Sequence, residues 1–426
     1  MDPSKDHPLI VTPAGAVSPR ANPDGVMARM TLGVLAGVGV VREFAAETRF
    51  RLGGYDFREA DYRQILFWGN SLGLSPEVVL ERMVAGRFAS VRDRYKDIAF
   101  GVEDGAIVSL AIDFSSLPIT SFEWQPGLQI ERLAFTQKHP CGPIQLTLNL
   151  PSLHKLVCQE IDLLSLDLEL VSDLAGLWCY GNQLTDLDLS NVPGLTELSC
   201  AHNQLTELDL SNVPGLTKLW CGTNQLTELD LSNVRGLTEL HCNENQLTEL
   251  DLSNVQGLTK LWCSNNQLTE LDLSNVPGLT LLRCNGNKLT ELDLSSLSGL
   301  TGLWCDKNQV VELDLSNVPR LTDLWCSNNQ LTELDLSHVR GLTVLRCYGN
   351  QLTELDLSNV PGLTELRCDD NQLTELDLSN VPGLTKLWCD ENQLTELDLS
   401  TVAGIEVENI HADQGVKIIR RRTRTK

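Results

Sequence analysis

A chain of 426 residues is long enough for two or more folding units. Its formal net charge of -24 sets it against polyanionic partners such as a nucleic-acid backbone or an anionic membrane surface. No apolar run reaches the roughly 18 to 20 residues that a membrane helix needs, and with 5% aromatic residues any core must be mostly aliphatic.

The acidity is uneven along the chain. Residues 1–105 are close to neutral, 106–416 carry the excess of Asp and Glu, and the last ten residues from Lys417 hold only basic charge. Residues 1–25 are proline-rich without apolar periodicity and are expected to be disordered. The apolar run 30–41 is short and far from the first residue for a secretory signal, and Arg42 follows it at once, so a buried helix is the simpler reading. Ser75-Pro76-Glu77 opens a helix, with Ser as N-cap and Pro in the first turn. That helix is predicted to run to about Tyr95 with Val78, Val79, Met83 and Phe88 inward, and Gly69–Gly73 reads as the turn leading into it. Residues 26–105 are thus expected to form a small, mainly α cap domain.

Residues 106–173 read as degenerate coils. Ile107, Leu110 and Ile112 fit IxxLxI, Ile130, Leu133 and Phe135 fit LxxLxF, and Ile119, Phe122 and Trp124 would be a second-sheet strand. A regular array over 174–400 follows. Cys158 to Cys389 recur every 21 residues, twelve in all, with Cys141 outside the series; an Asn follows each by three from Asn182 to Asn392. One copy, Leu216 to Gly236, reads LTKLWCGTNQLTELDLSNVRG. It holds LxxLxC at Leu216, Leu219 and Cys221 and LxxLxL at Leu226, Leu229 and Leu231. Period-two alternation in halves this short argues for strands and leaves no room for a helix. Each copy is therefore predicted to be one flattened coil with an Asn corner and a Pro/Gly corner. Stacked coils give a mostly β repeat solenoid with two parallel sheets, rungs about 4.8 Å apart and a continuous Leu/Cys core. Ile405 keeps register but Glu408 replaces an inward Leu, so 401–426 is expected to be a C-terminal cap with a basic tail.

The pattern LxxLxCxxNQLxxLDLSNVPG resembles the leucine-rich repeat proteins, and within them the nested 21-residue bacterial class called IRREKO. The resemblance implies a solenoid used for protein binding, with Cys standing where the third Leu is usual.

A single file of Cys at 21-residue spacing lacks the paired ligands of a zinc site and aims parallel side chains poorly for disulfides. The column reads as small buried hydrophobes, which favours a reducing, cytoplasmic setting, with secretion or delivery as an effector the alternative. The Asn column reads as structural, bonding backbone at each corner. On the second strand, Glu207 to Glu396 and Asp188 to Asp398, with Asp186, put 22 carboxylates on one face. Their stacking is expected to raise some pKa values. That face reads as solvated, with cation binding or an acidic decoy that mimics nucleic acid as alternatives.

The first strand's outward place, just before each Cys, carries the candidate site. It holds Trp178, Trp220, His241, Trp262, Arg283, Trp304, Trp325, Arg346, Arg367 and Trp388, besides Val157 and Ser199. Six of the eight Trp sit there, in a copy otherwise nearly fixed. Trp and Arg are enriched at interface hot spots, and an exposed apolar stripe calls for a partner; mutual stacking over the strand backbone is the alternative. Lys218, Glu239, Lys260, Asp323, Tyr180 and Tyr348 lie beside it. No nucleophile, base and orienter group together, and no metal or cofactor motif is present. The expectation is a monomeric, non-enzymatic scaffold for another protein, binding no nucleic acid and not inserting in a membrane. An enzyme with its catalytic part in 26–105 is the less favoured reading.

Overall fold

The computed structural model describes residues 28–29, 49–85, 101–104, 106–113, 124–136, 143–402 and 404–420. The segment 1–25, the run 30–41, the expected helix beyond residue 85, Ile119, Phe122, Cys141 and the tail beyond Arg420 lie outside these residues. The chain divides into two units, residues 1–184 with 191–194, and residues 185–190 with 195–426.

The first unit opens with an antiparallel sheet, β1 (Ala28–Arg29), β2 (Arg49–Leu52) and β3 (Tyr55–Arg58). The β2–β3 hairpin turns on Gly53 and Gly54, at φ 54° and 90°, the two left-handed positions a two-residue turn requires. This hairpin has no counterpart in the sequence reading. Helix α1 (Glu59–Leu72) ends at Gly73 in the left-handed region, where the Leu74 N–H donates to Gly69 O at 2.8 Å. Gly69–Gly73 is therefore a helix exit and not a helix-opening turn. Helix α2 (Pro76–Ala85) follows from Ser75, whose carbonyl accepts from the Val79 N–H at 3.1 Å, and it buries Val79, Leu80 and Met83.

Helix α1 closes the start of a parallel ladder. Asp61 Oδ1 accepts the Ile107 N–H at 3.0 Å and Gln64 Oε1 the Gln125 N–H at 2.7 Å, while Trp68 meets Trp124 edge to face at 5.9 Å. These bonds satisfy backbone donors that an end rung would otherwise leave unpaired. Strand β4 (Gly101–Glu103) runs antiparallel to β5 (Ala106–Asp113). Strands β5, β6 (Arg132–Thr136), β8 (Lys155–Cys158) and β10 (Gly176–Trp178) then pair parallel. On the second face β7 (Ile144–Asn149) pairs β9 (Leu163–Leu170) in parallel. Ile107, Leu110, Ile112, Ile130, Leu133, Phe135, Leu153, Leu156 and Cys158 are all buried.

The second unit is a β-solenoid of 21-residue coils. Three-residue strands from β11 (Glu197–Ser199) to β20 (Lys386–Trp388) pair parallel in register, Leu on Leu. In the coil from Leu216, the side chains of Leu216, Leu219, Cys221, Leu226, Leu229, Leu231 and Val234 are buried. At the corner Asn224 donates to Cys200 O and Cys221 O at 3.1 and 3.0 Å and accepts the Leu205 N–H at 3.0 Å, tying two coils together. The residue before it, Thr223, sits at φ 55°, and its counterparts Glu244, Asn265, Lys307 and Asn328 share that left-handed geometry. The Gln225 N–H reaches Leu205 O at 2.8 Å. Beyond that bond the LxxLxL runs form no ladder among the described residues, except where β21 (Glu396–Asp398) pairs β23 (Lys417–Ile419). The second sheet read from sequence is thus a stack of runs without strand pairing through most of this unit. A full ladder there would press the Glu and Asp columns together at about 4.8 Å.

Glu408, expected to stop the stacking, falls in a 3-10 turn, Val407–Asn409. After it β22 (Ile410–His411) pairs β20 as Leu387 with Ile410, a step of 23 residues in place of 21. The turn absorbs two extra residues and the coil goes on.

Candidate functional site

The outward place before each Cys becomes a column of stacked groups. In the second unit the sequence runs Trp220, His241, Trp262, Arg283, Trp304, Trp325, Arg346, Arg367, Trp388 and then His411. Trp220 meets His241 edge to face at 6.1 Å, and His241 stacks on Trp262 at 3.8 Å. The Arg283 guanidinium lies between two indoles, 4.3 Å from Trp262 and 4.5 Å from Trp304. Trp304 meets Trp325 at 6.0 Å, and Arg346 lies 3.9 Å over Trp325. Arg367 lies over Tyr348 and Trp388, and Trp388 stacks on His411 at 5.3 Å. In the first unit Lys155 lies 5.3 Å over Trp178, which is only 8% exposed.

These rings do not form the open apolar stripe expected from the sequence. Strand spacing is close to the ring-stacking distance, so ring faces are covered by the neighbouring rungs and the groups are half-buried. Gly302 makes room for one of them, because a Cβ there would lie 2.5 Å from the Trp304 ring.

Ion pairs flank the column. Lys218 meets Glu197 at 2.7 Å, Lys260 meets Glu239 at 3.5 Å, Arg346 meets Glu365 at 2.6 Å and Arg367 meets Asp369 at 3.1 Å. Arg283 has no carboxylate within ion-pair distance among the described residues, and its Nε has no hydrogen-bond partner. Burial draws its pKa below the ordinary arginine value. His241 Nε2 lies 3.0 Å from Glu239 Oε1, yet burial outweighs that carboxylate and pulls the imidazole down to about 4.

The acidic face of the second unit forms a groove of about 1290 Å³, lined from Asp186 to Asp293 by Glu, Asp and the edges of buried Leu. Contrary to the expected upward shift, Asp188, Asp209, Asp230, Asp251, Asp272 and Asp293 all lie below the usual carboxylate range. Each bonds the Ser two residues on, as Asp230 Oδ1 accepts the Ser232 N–H at 2.8 Å. For Asp230 that backbone bond is the largest cause, and repulsion from Asp209 and Asp251 is a lesser one. The Asp column therefore closes turns. Among the described residues no group of three or more His, Cys, Asp or Glu is arranged to hold a metal ion.

The family profile described as Leucine Rich repeats (2 copies) matches residues 193–233. Among solved structures, the functional domain of InlJ from Listeria monocytogenes, described as including a cysteine ladder, is 35% identical. The match covers 72% of each chain at a TM-score of 0.63. The chain is a leucine-rich repeat protein. YopM from Yersinia enterocolitica is 25% identical over 68% of this chain and 73% of its own, at a TM-score of 0.51. A Leptospira interrogans leucine-rich repeat protein shares the fold at 20% identity, 72% and 95% coverage and a TM-score of 0.57. A search of curated proteins found no match.

This leucine-rich repeat protein has a cysteine column of its own. The twelve described cysteines, Cys158 to Cys389, form no disulfides and are buried. Burial pushes Cys200, Cys242 and Cys347 up to about 12 and several others further. A second structural column was missed in the sequence. From Thr217 to Thr385 the Thr before the first strand donates its hydroxyl one coil back, as Thr217 Oγ1 does to Thr196 O at 3.0 Å and Thr238 Oγ1 to Thr217 O at 3.0 Å. Its signal, the LT pair repeated in each copy, was legible. Which Arg would lack a carboxylate was not, because that depends on cross-strand neighbours.

Proposed function

We propose that this protein is a non-enzymatic interaction scaffold that docks a partner protein on the first face of its second unit, with the Trp262–Arg283–Trp304 sandwich at the centre of the contact. The observation that carries this reading is the state of Arg283. Its guanidinium lies between two indoles with no carboxylate within ion-pair distance among the described residues, Asp323 acting on it only at longer range, whereas Arg346 and Arg367 in the same column are paired. A partner carboxylate meeting Arg283 would form a charge-assisted bond at low ordering cost. The large, half-exposed rings around it suit a contact centre. Leucine-rich repeat solenoids serve as a class for protein–protein interaction, and the reading agrees with that use. We further assign the coils to the nested 21-residue class on the LxxLxC and LxxLxL runs of each copy. The buried thiols suit either a reducing or an oxidising compartment, so the cytoplasmic reading has no bearing on this function.

Capture from a lysate by the intact chain, at low and high salt, tests the reading. A partner retained at high salt by the native chain and by Glu291→Gln/Glu312→Gln, and lost with Arg283→Gln, supports it. Binding that fades with salt and is lost with the Glu changes transfers the site to the acidic groove, the surface a basic partner or cation would use.

A further inference from the structure

On the reading of the first face as a docking surface, we infer that the partner is a protein of net positive charge with one isolated carboxylate as its anchor. That carboxylate meets Arg283 among apolar side chains. Lys or Arg of the partner meets the corner carboxylates Asp370, Asp390 and Glu391 further along the second unit. The carboxylates of the strands around Arg283 are already engaged. Glu239 holds Lys260 at 3.5 Å and accepts the Trp220 Nε1–H at 3.2 Å. Asp323 accepts the Trp325 Nε1–H at 3.2 Å, and Glu365 holds Arg346 at 2.6 Å and Lys386 at 3.3 Å. Arg283 is left over. The corner residues of its own rung and the one before are the uncharged Asn285, Gly286, Ser264 and Asn265, and Leu281 and Gly302 stand beside it on the strands. One cation in an uncharged, partly apolar stretch takes one carboxylate; a run of them would set the rest unpaired against indole and leucine.

The same corner turns acidic further along the unit. Asp369 is held by Arg367 at 3.1 Å. Asp370, Asp390 and Glu391 have no ion pair among the described residues, and Asp370 and Glu391 are exposed. They lie four and five rungs beyond Arg283, about 19–24 Å at about 4.8 Å a rung. The whole chain carries -24, a field that repels an acidic partner at long range and draws a basic one. An acidic peptide or a polyanion would satisfy Arg283 and be repelled by these carboxylates, whereas a basic partner with a lone carboxylate satisfies both ends. A second copy of this chain is opposed by the same field.

Selection from a displayed library of random peptides of about 16 residues, long enough when extended to bridge that span, tests the inference on the full chain. Peptides retained by the native chain and lost with Arg283→Gln are expected to carry a single Asp or Glu beside an apolar residue, with Lys or Arg about six to eight residues away. For a selected peptide made by synthesis, Arg283→Gln is expected to weaken binding about ten-fold, and changing the peptide's own Asp or Glu to its amide to abolish that difference. Asp370→Asn/Asp390→Asn/Glu391→Gln is expected to weaken binding about three- to ten-fold at low salt and less at high salt. Circular dichroism of both variants separates lost binding from unfolding. Arg283-dependent peptides rich in Asp and Glu and without Lys or Arg overturn the net-basic partner and leave the docking surface standing, as does indifference to the triple variant. Peptides held equally by the native chain and Arg283→Gln contradict the docking surface itself.

Discussion

At the scale of single residues, burial decides behaviour more than residue type does. The thiols are the clearest case: with pKa values at about 12 or higher they hold little thiolate at neutral pH. Thiol titration of the native protein is therefore expected to find the column unreactive until denaturant is added, and rapid labelling of the column would contradict its inward placement. Cys284→Asp is expected to cost several kcal/mol by burying an unpaired carboxylate, read as a lowered urea midpoint. His241 shows the same logic with the opposite charge. Its pKa of about 4 in the fold lies below the roughly 6.5 of an unfolded histidine. The unfolded chain takes the proton first, so this contribution to stability is complete above about pH 6.5 and is lost as pH falls toward 4. Allowing for partial exposure, the loss is about 1–2 kcal/mol. Asp61, raised by burial to about 6, works in the other direction, favouring the fold as pH falls from about 6 to 4. Comparing the pH dependence of the urea midpoint in the native chain and in His241→Phe removes the Asp61 share, and identical profiles would contradict the assignment.

At the scale of one coil, the corner is the costliest part to build and the most informative to change. Asn266 donates to Cys242 O and Cys263 O at 3.0 Å each and accepts the Leu247 N–H at 3.0 Å. Asn266→Ala leaves these buried groups unpaired and is expected to cost about 2–4 kcal/mol, seen as a lower denaturation midpoint. A neutral result would mean that water replaces the amide. Thr223 is a β-branched residue at φ 55°. Thr223→Gly is expected to raise stability by about 0.5–1 kcal/mol, read as a higher urea midpoint, and a lower midpoint would show that the hydroxyl's bond to Glu244 at 3.0 Å outweighs the strain and would contradict the expectation. The coil was largely legible in the sequence because a 21-residue period repeats every inward Leu, Cys and Asn in place, and period fixes burial. The second face was less so: alternation in LDL marks which side chains point in, but not whether neighbouring backbones come close enough to bond. The step of 23 residues at Glu408 was illegible for a related reason, since a short 3-10 turn can absorb extra residues that a fixed template counts as a break.

At the scale of the whole molecule, repetition turns one outward position into an extended surface, and function depends on what that surface leaves unsatisfied. The Trp, His and Arg column was visible in the sequence as the one variable place in a constant copy. Its mutual stacking was not, because cross-strand ring contacts depend on which residue stands one rung away. Stacking makes the column part of the fold's stability as well as its candidate site, so complete ring removal confounds the two. Trp325→His avoids this, since His241 shows that an imidazole stacks at the same position. The most direct test of the binding face is a calorimetric titration of the captured partner against the native chain, Arg283→Gln, Trp325→His and Glu291→Gln/Glu312→Gln. Arg283→Gln is expected to lose about 1–3 kcal/mol of binding free energy, Trp325→His less and the Glu pair none. Unchanged affinity in Arg283→Gln with loss in the Glu pair would contradict this assignment.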